Sequence, residues 1–359
     1  MSARRVAWLL AAGLAVIAFA VWLSSRRHLE RDMSAGALVL PGLEQNVNAV
    51  TAVLVHKGDG THATLQKDGN AWRVTERGWP ADVVKVRKLL LDLGALNIVE
   101  EKTRLPANYP QLGVEDVNSP KATGTRVDVS APSHAWALII GKSSGAKSGY
   151  VRVATAPQSL LAAPLLMVDS DPKGWLDHAL LDVPLARVRQ VEEHPAQGAP
   201  FTVARDQKEQ PDFVVSPLPK GRELTSAAAA APITTALGSL TLDDVRHGGD
   251  TPDPPAARAT FRTFDGLEVE LAGRKDGTHS LIAITARSTA KETAAEAAQL
   301  AARFTGWEFE IPDYKYNTIF TPLEELLRKP PPPPPKKPAS ASQKPATAAP
   351  APQGNVISK

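Results

Sequence analysis

The sequence predicts an α+β fold: two tandem repeats, each an antiparallel sheet with a covering helix, preceded by one transmembrane helix. Two observations lead to this prediction. Residues 6–23 form an unbroken apolar run flanked by arginines, and the chain beyond about residue 49 passes twice through one order of short strands and helices. The length of 359 residues suits two ordinary domains.

The apolar run has the length of a membrane span. As a helix, residues 6–23 would extend roughly 27 Å, close to the hydrocarbon thickness of a bilayer. We expect residues 1–35 to be a signal-anchor segment in the bacterial inner membrane, with the body in the periplasm. The alternative is a signal peptide cleaved after Ala20, because Ala18-Phe19-Ala20 fits a small-x-small cleavage site.

The first predicted module covers residues 36–180. Short runs rich in strand-forming residues, separated by turns at 58–60 and 67–70, predict a meander of three strands. Asp82 precedes apolar residues spaced three and four apart, which predicts a helix with Asp82 as its N-cap. Three further strands are predicted from the runs that begin at Thr125, Ala135 and Tyr150.

The second predicted module covers residues 181–328 and follows the same order. Three strands precede a helix predicted from about Thr225 to Leu240, with Pro232 as an unfavourable residue inside it. Three strands follow this helix. An alanine-rich helical insert is predicted over residues 289–303, and a final strand is predicted at Trp307.

Residues 329–359 differ in composition from the body. Six consecutive prolines from Pro330, followed by alanine, proline and lysine, cannot build a core, so we predict a disordered tail. The formal net charge is +3, but the excess of basic residues lies in this tail and around the apolar run. The body is therefore acidic, which argues against a nucleic-acid partner. Cysteine is absent, which excludes disulfides and thiolate metal sites.

Candidate catalytic and metal-binding motifs are incomplete. Gly141, Ser143 and Gly145 match the G-x-S-x-G pattern of serine hydrolases, but that pattern acts on a strand–turn–helix elbow, and here a strand is predicted to follow. Asp169-Ser170-Asp171 begins like a calcium loop, yet Lys173 stands where an oxygen ligand is required. The histidines of the body lack metal-ligand spacing; they are His56, His62, His134, His178, His194, His247 and His279. We expect no catalytic residue, no cofactor and no metal.

Several short motifs together resemble a known family. They are Trp72, Pro80-Ala81-Asp82, Asn108–Asp116 (NYPQLGVED), Gly149–Arg152, Gly174–Asp177, and Trp307 with Ile311-Pro312. In combination they resemble the bacterial family called domain of unknown function 4340, over about residues 46–327. The resemblance implies a membrane-anchored, exported protein of the kind often encoded beside ABC-type export or gliding-motility components. It supplies no catalytic residues, because none are established for that family.

These observations predict a non-enzymatic interaction or accessory module, held at the inner membrane by residues 6–23 and serving an ABC-type export or envelope complex. Two alternatives remain open at this point. One is an envelope serine hydrolase that uses Ser143. The other is an envelope-spanning linker that works through the proline-rich tail.

Overall fold

A computed structural model describes residues 35–248 and 256–329. Strand accounts for 39% of the structure and helix for 22%. Most strands belong to two large antiparallel sheets, one in each half of the body. Most of their buried apolar side chains form one continuous core from Val39 to Leu327, and Tyr109, Val114 and Ile139 form a separate small cluster.

The first sheet contains strands β1 to β9. They are β1 (Ala52–Lys57), β2 (His62–Asp68), β3 (Ala71–Val74), β4 (Trp79–Pro80), β5 (Asn97–Glu101), β6 (Thr125–Ala131), β7 (His134–Ser144), β8 (Ser148–Val153) and β9 (Ser159–Ala163). The order across the sheet is β4-β3-β2-β1-β6-β7-β8-β9-β5. Along β1 and β6 buried and less buried residues alternate, because successive side chains point to opposite faces of a strand.

The second sheet is built from the later strands. The strands of this half are β10 (Ala179–Leu181), β11 (Val188–His194), β12 (Phe201–Ala204), β13 (Val214–Ser216), β14 (Leu240–Thr241), β15 (Asp244–His247), β16 (Ala257–Thr263), β17 (Leu267–Asp276), β18 (His279–Ser288) and β19 (Trp307–Glu310). The sheet order is β13-β12-β11-β16-β17-β18-β19-β15, while β10 and β14 form a separate two-stranded pair.

The helices are short. Those described are α1 (Leu43–Asn46), α2 (Val83–Gly94), α3 (Tyr109–Leu112), α4 (Ala231–Thr234), α5 (Ala294–Phe304), α6 (Asp313–Ile319) and α7 (Leu323–Leu326). Helix α2 buries Val86, Leu90 and Leu93, whose spacing of three and four residues places them on one face. Each such side chain contributes about 1.5–3 kcal/mol on full burial. The predicted helix with Asp82 as its N-cap is confirmed.

The predicted fold class is wrong, because the covering helix is not repeated. The second half has the single turn α4 where a helix was predicted from about Thr225 to Leu240. Pro232 lacks an N–H and cannot continue a helix that begins before it, although Ala230, Ile233 and Leu237 around it are buried. The backbone N–H of Thr225 is instead bonded to the carbonyl of Leu326, at 2.9 Å. The longer helix α5 follows β18 and packs on it, at another place in the strand order.

The predicted transmembrane helix has no counterpart in the described fold. Among residues 35–248 and 256–329, no helix is long and apolar enough to cross a membrane. The predicted span at 6–23 and the predicted tail beyond 329 lie outside the described residues. The domain boundaries at residues 35, 180 and 328 stay predictions.

Candidate functional site

Helix α2 forms one wall of a surface groove. The carboxylate of Asp82 accepts hydrogen bonds from the backbone N–H groups of Val84 (2.9 Å) and Lys85 (3.0 Å). This cap fixes where the helix starts, and therefore which residues face solvent. Val84 and Leu91 are 78% and 54% exposed, and their spacing of seven residues places them on the same side of the helix.

The opposite wall is the segment 165–168, which follows β9. Its Leu166 is buried against the core, whereas Met167 is 89% exposed. Between this segment and α2 lies a cavity of about 360 Å³, with Leu89 and Trp175 in its lining. We call this cavity, together with the exposed Val84, Leu91 and Met167, the α2 groove. It combines a concave lining that is largely apolar with exposed apolar side chains on the helix beside it.

A polar turn fixes Trp175 in the groove. The indole N–H of Trp175 donates to the carbonyl of Asp169 at 2.8 Å. The carboxylate of Asp169 accepts from the N–H of Asp171 at 2.9 Å, and that of Asp171 accepts from the N–H of Lys173 at 2.9 Å. The sequence pattern that began like a calcium loop is thus a turn whose carboxylates bond to nearby backbone groups.

The start of α2 is joined to the segment that carries Trp175. The N–H of Asp82 donates to the carbonyl of Trp175 at 2.8 Å, and Ala81 pairs with Leu176 as a β-bridge. The ammonium of Lys85 lies 4.8 Å from the centre of the Trp175 ring and donates to the carbonyl of Gly174. The motifs at 80–82 and 174–177 therefore build the groove together.

The rim of the groove is mainly basic. Lys85 and Lys88 are exposed on α2 and line the cavity together with Asp92, whose carboxylate forms an ion pair of 2.5 Å with Lys88. One carboxylate therefore faces two cations in this lining. An apolar cavity with a positive rim is suited to a segment that carries both apolar and acidic side chains.

Ion pairs connect the turn at 169–173 to the second half. The carboxylate of Asp244 accepts from the Arg77 guanidinium at 2.7 and 3.2 Å and pairs with the ammonium of Lys173 at 3.2 Å. Burial opposes ionisation of Asp244, but the hydrogen bonds from Arg77 and Lys173 outweigh it and lower its pKa. The same contact raises the pKa of Arg77. The turn is thus tied to β15.

Asp177 forms a second connection between the halves. Its carbonyl accepts the indole N–H of Trp79 at 3.0 Å, and its carboxylate accepts from Arg303 of α5 at 3.1 Å. The Trp79 ring also meets the Trp307 ring edge-on, with centroids 5.3 Å apart. The wall that carries Trp175 is therefore supported from both halves of the molecule.

The motif at 108–116 lies on the first sheet and is held by Arg152. The guanidinium of Arg152 is buried and donates to the carbonyl of Val114 at 2.9 Å and to the carboxylate of Asp116 at 2.7 Å. It also lies 4.8 Å from the centre of the Tyr109 ring. These contacts give this motif a structural role in fixing the loop to strand β8.

Ser143 does not lie on a nucleophile elbow. It is exposed within β7 and lies opposite Gly149 of β8, so the G-x-S-x-G pattern is part of a hairpin. The ammonium of Lys142 donates to the carbonyls of Pro110 and Gln111, each at 3.1 Å. Gly141 lies so close to Leu112 that a Cβ would overlap its carbonyl. The pattern therefore holds the 108–116 loop, and the geometry that the hydrolase alternative requires is absent here.

Replacing Gly141 with valine is expected to destabilise the protein by roughly 1–3 kcal/mol, because the added side chain pushes against the Leu112 backbone. Ser143→Ala, at an exposed position in the same hairpin, is the matched control and should change stability by less than about 0.5 kcal/mol. Urea unfolding of the full chain measures both. Equal losses for the two variants would contradict the packing role of Gly141.

The histidines of the body are dispersed. His56 lies 3.3 Å from Asp128, His62 lies 3.6 Å from Glu76, and His247 stacks on Trp307. Within the two described ranges, no group of three or more histidine, aspartate or glutamate side chains is placed to hold a metal ion. Among the tryptophans, Trp72 and Trp175 are buried, whereas Trp136 and Trp307 are partly exposed.

A family model described as Domain of unknown function (DUF4340) matches residues 72–260, which is more than half of the chain. The chain belongs to the DUF4340 family. The predicted resemblance is thereby confirmed. No curated protein and no solved structure is detectably similar to this DUF4340 protein. The matched residues include both walls of the α2 groove and the turn that carries Trp175.

The exposed residues of the groove are the part of this DUF4340 protein that sequence reasoning missed. Val84 and Leu91 have a local signal, since Val83-Val84 and Leu89-Leu90-Leu91 place more apolar residues on α2 than one buried face accommodates. Met167 has no such signal. Its exposure depends on the path of the segment after β9, which only the folded chain defines.

Proposed function

We propose that this protein is a non-enzymatic interaction module of the bacterial envelope and that it docks a partner in the α2 groove. The partner is a membrane protein of an ABC-type export or envelope assembly. Two observations carry the proposal: the cavity with the exposed Met167 in its lining, and the exposed Val84 and Leu91 on the helix that forms one wall of that cavity. Clustered exposed apolar side chains on a soluble surface mark interaction sites.

The chemistry of the groove indicates what the partner presents. Leu89 and Trp175 line a cavity with room for apolar side chains, and Lys85 and Lys88 line the same cavity. A segment with apolar anchors and flanking carboxylates complements both features, as in helix-in-groove recognition. The apolar sequence at 6–23 and the DUF4340 membership support a location at the inner membrane, where such a partner is within reach.

The expected result of Leu91→Glu is loss of the partner without loss of the fold. A carboxylate at an exposed position costs little stability but cannot enter an apolar contact, so recovery of the partner should fall at least about tenfold. Val214→Glu is the matched control, because Val214 is 60% exposed on strand β13 of the other sheet. The measurement is quantitative affinity purification of the full chain from solubilised membranes.

Crosslinking separates direct contact from indirect effects. A photoreactive residue placed at Val84 or Met167 should form an adduct with the same membrane protein, and one at Val214 should not. A membrane protein that is captured with wild type and with Val214→Glu, but lost with Leu91→Glu, supports the proposal. Equal capture by wild type, Val214→Glu and Leu91→Glu, or adducts at Val214 alone, would contradict the proposal.

A further inference from the structure

A second cavity lies on the first sheet and shares no lining residue with the cavity of the α2 groove. It has a volume of about 650 Å³ and is bordered by the end of β1, the β1–β2 turn and the loop at 117–121. The residues that matter for its chemistry are Lys57, Asn118, Ser119 and Lys121. This cavity does not overlap any motif that the proposed function uses.

The two loops that border the cavity are held in place by their own contacts. In the turn, the N–H of Lys57 donates to the carbonyl of Thr61 at 3.0 Å, and the Thr61 hydroxyl lies 2.8 Å from that of Ser170. A Cβ on Gly58 would stand 2.5 Å from the carbonyl of Val117, so the loops touch where that glycine lies. The cavity is therefore formed before any ligand enters.

The donors around the cavity are unpaired, whereas the nearby carboxylates are occupied. The side chains of Lys57, Asn118, Ser119 and Lys121 form no hydrogen bond or ion pair within the described part of the chain. Hydrogen bonds from Thr61 lower the pKa of Asp59, and Lys57 adds to this effect only through its charge. Of the carboxylates close by, Asp59 accepts from the Thr61 N–H and hydroxyl, and Asp128 accepts from Arg126 and His56. The lining itself contains cationic and polar donors and no carboxylate.

We infer that this cavity binds a phosphate-bearing ligand. Two ammonium groups, an amide and a hydroxyl are the donors that phosphate oxygens accept from, and charge-assisted hydrogen bonds of this kind are the stronger ones. The cavity has room for a phosphate with a small polar group attached. A free phosphate ester and the headgroup of an anionic lipid share this chemistry.

The test uses the purified full chain in neutral detergent micelles, titrated with inorganic phosphate and with glycerol phosphate by isothermal calorimetry. Saturable binding is expected to weaken at least about tenfold in the double variant Lys57→Gln/Lys121→Gln, because two charged contacts are lost. Lys220→Gln, at an exposed position in the second half, is the matched control and should bind as wild type does. Equal thermal unfolding midpoints would show that all variants are folded.

The source of the phosphate is decided by adding phosphatidylglycerol to the micelles. If a lipid headgroup fills the cavity, glycerol phosphate should bind more weakly in the doped micelles for wild type and for Lys220→Gln. If a soluble ester is the ligand, doping should leave its binding unchanged. Either result supports a phosphate site in this cavity. The absence of saturable binding by wild type, or equal affinity in the double variant, overturns it, and neither outcome bears on the α2 groove.

Discussion

Trp79→Ala is expected to lower the free energy of unfolding by about 3–5 kcal/mol, the range for deletion of a large buried aromatic side chain. Trp79 is 2% exposed, and its ring meets those of Trp307 at 5.3 Å and Phe309 at 5.1 Å. Its indole N–H also donates to the carbonyl of Asp177. The substitution leaves a cavity between the two sheets, and the carbonyl of Asp177 loses its hydrogen-bond donor.

The position of Trp79 makes the prediction more specific than a loss of stability. Strand β4, which carries Trp79, is the edge of the first sheet, and β19, which carries Trp307, belongs to the second. Urea unfolding followed by circular dichroism should therefore change from one transition to two in Trp79→Ala, as the halves lose their coupling. Trp136→Ala is the control, because Trp136 is partly exposed and packs within the first half against Pro41. An equally large loss of stability in Trp136→Ala would contradict the role of Trp79 in coupling the two halves.

The elements that could be predicted from the sequence are those with strong local signals. Helix α2 has an N-cap and an apolar stripe within its own twelve residues, and the structure has it at Val83–Gly94. The runs predicted at 125–129 and 135–140 lie within β6 and β7. In each case the residues that decide the structure are neighbours in the chain.

The elements that could not be predicted depend on distant residues. The segment around Ala231–Thr234 is rich in alanine and buries Ile233 and Leu237, but it contains Pro232, and the chain before it bonds to Leu326. Tertiary contacts therefore outweighed propensity. The α2 groove is a similar case, because the motifs at 80–82 and 174–177 were visible separately, while their pairing across the fold was not.

The buried carboxyl of Glu193 is expected to have the other large effect, which is on the pH dependence of stability. It lies on β11 opposite Phe201 of β12 and Ala259 of β16, is 0% exposed, and neither carboxylate oxygen has a hydrogen-bond partner. Burial raises the pKa of Glu193 well above its usual range, so the folded protein holds it protonated where the unfolded chain does not. We expect stability to fall as the pH rises above about 4.5, by up to about 1.4 kcal/mol per pH unit, until the folded state also ionises.

Glu193→Gln should remove this slope, because the amide has nearly the same shape and does not titrate. Relative to wild type, the variant should gain stability as the pH rises above the unfolded pKa, as measured by urea unfolding at a series of pH values. The neighbouring Glu192 is the control with the opposite sign, since hydrogen bonds from Arg262 and His194 lower its pKa. The contribution of Glu192 to stability is present above the unfolded pKa and is lost as the pH falls. The stability of Glu192→Gln should therefore decrease relative to that of wild type as the pH rises. Parallel pH profiles for wild type and Glu193→Gln would show that this carboxyl reaches water or a partner in the folded protein.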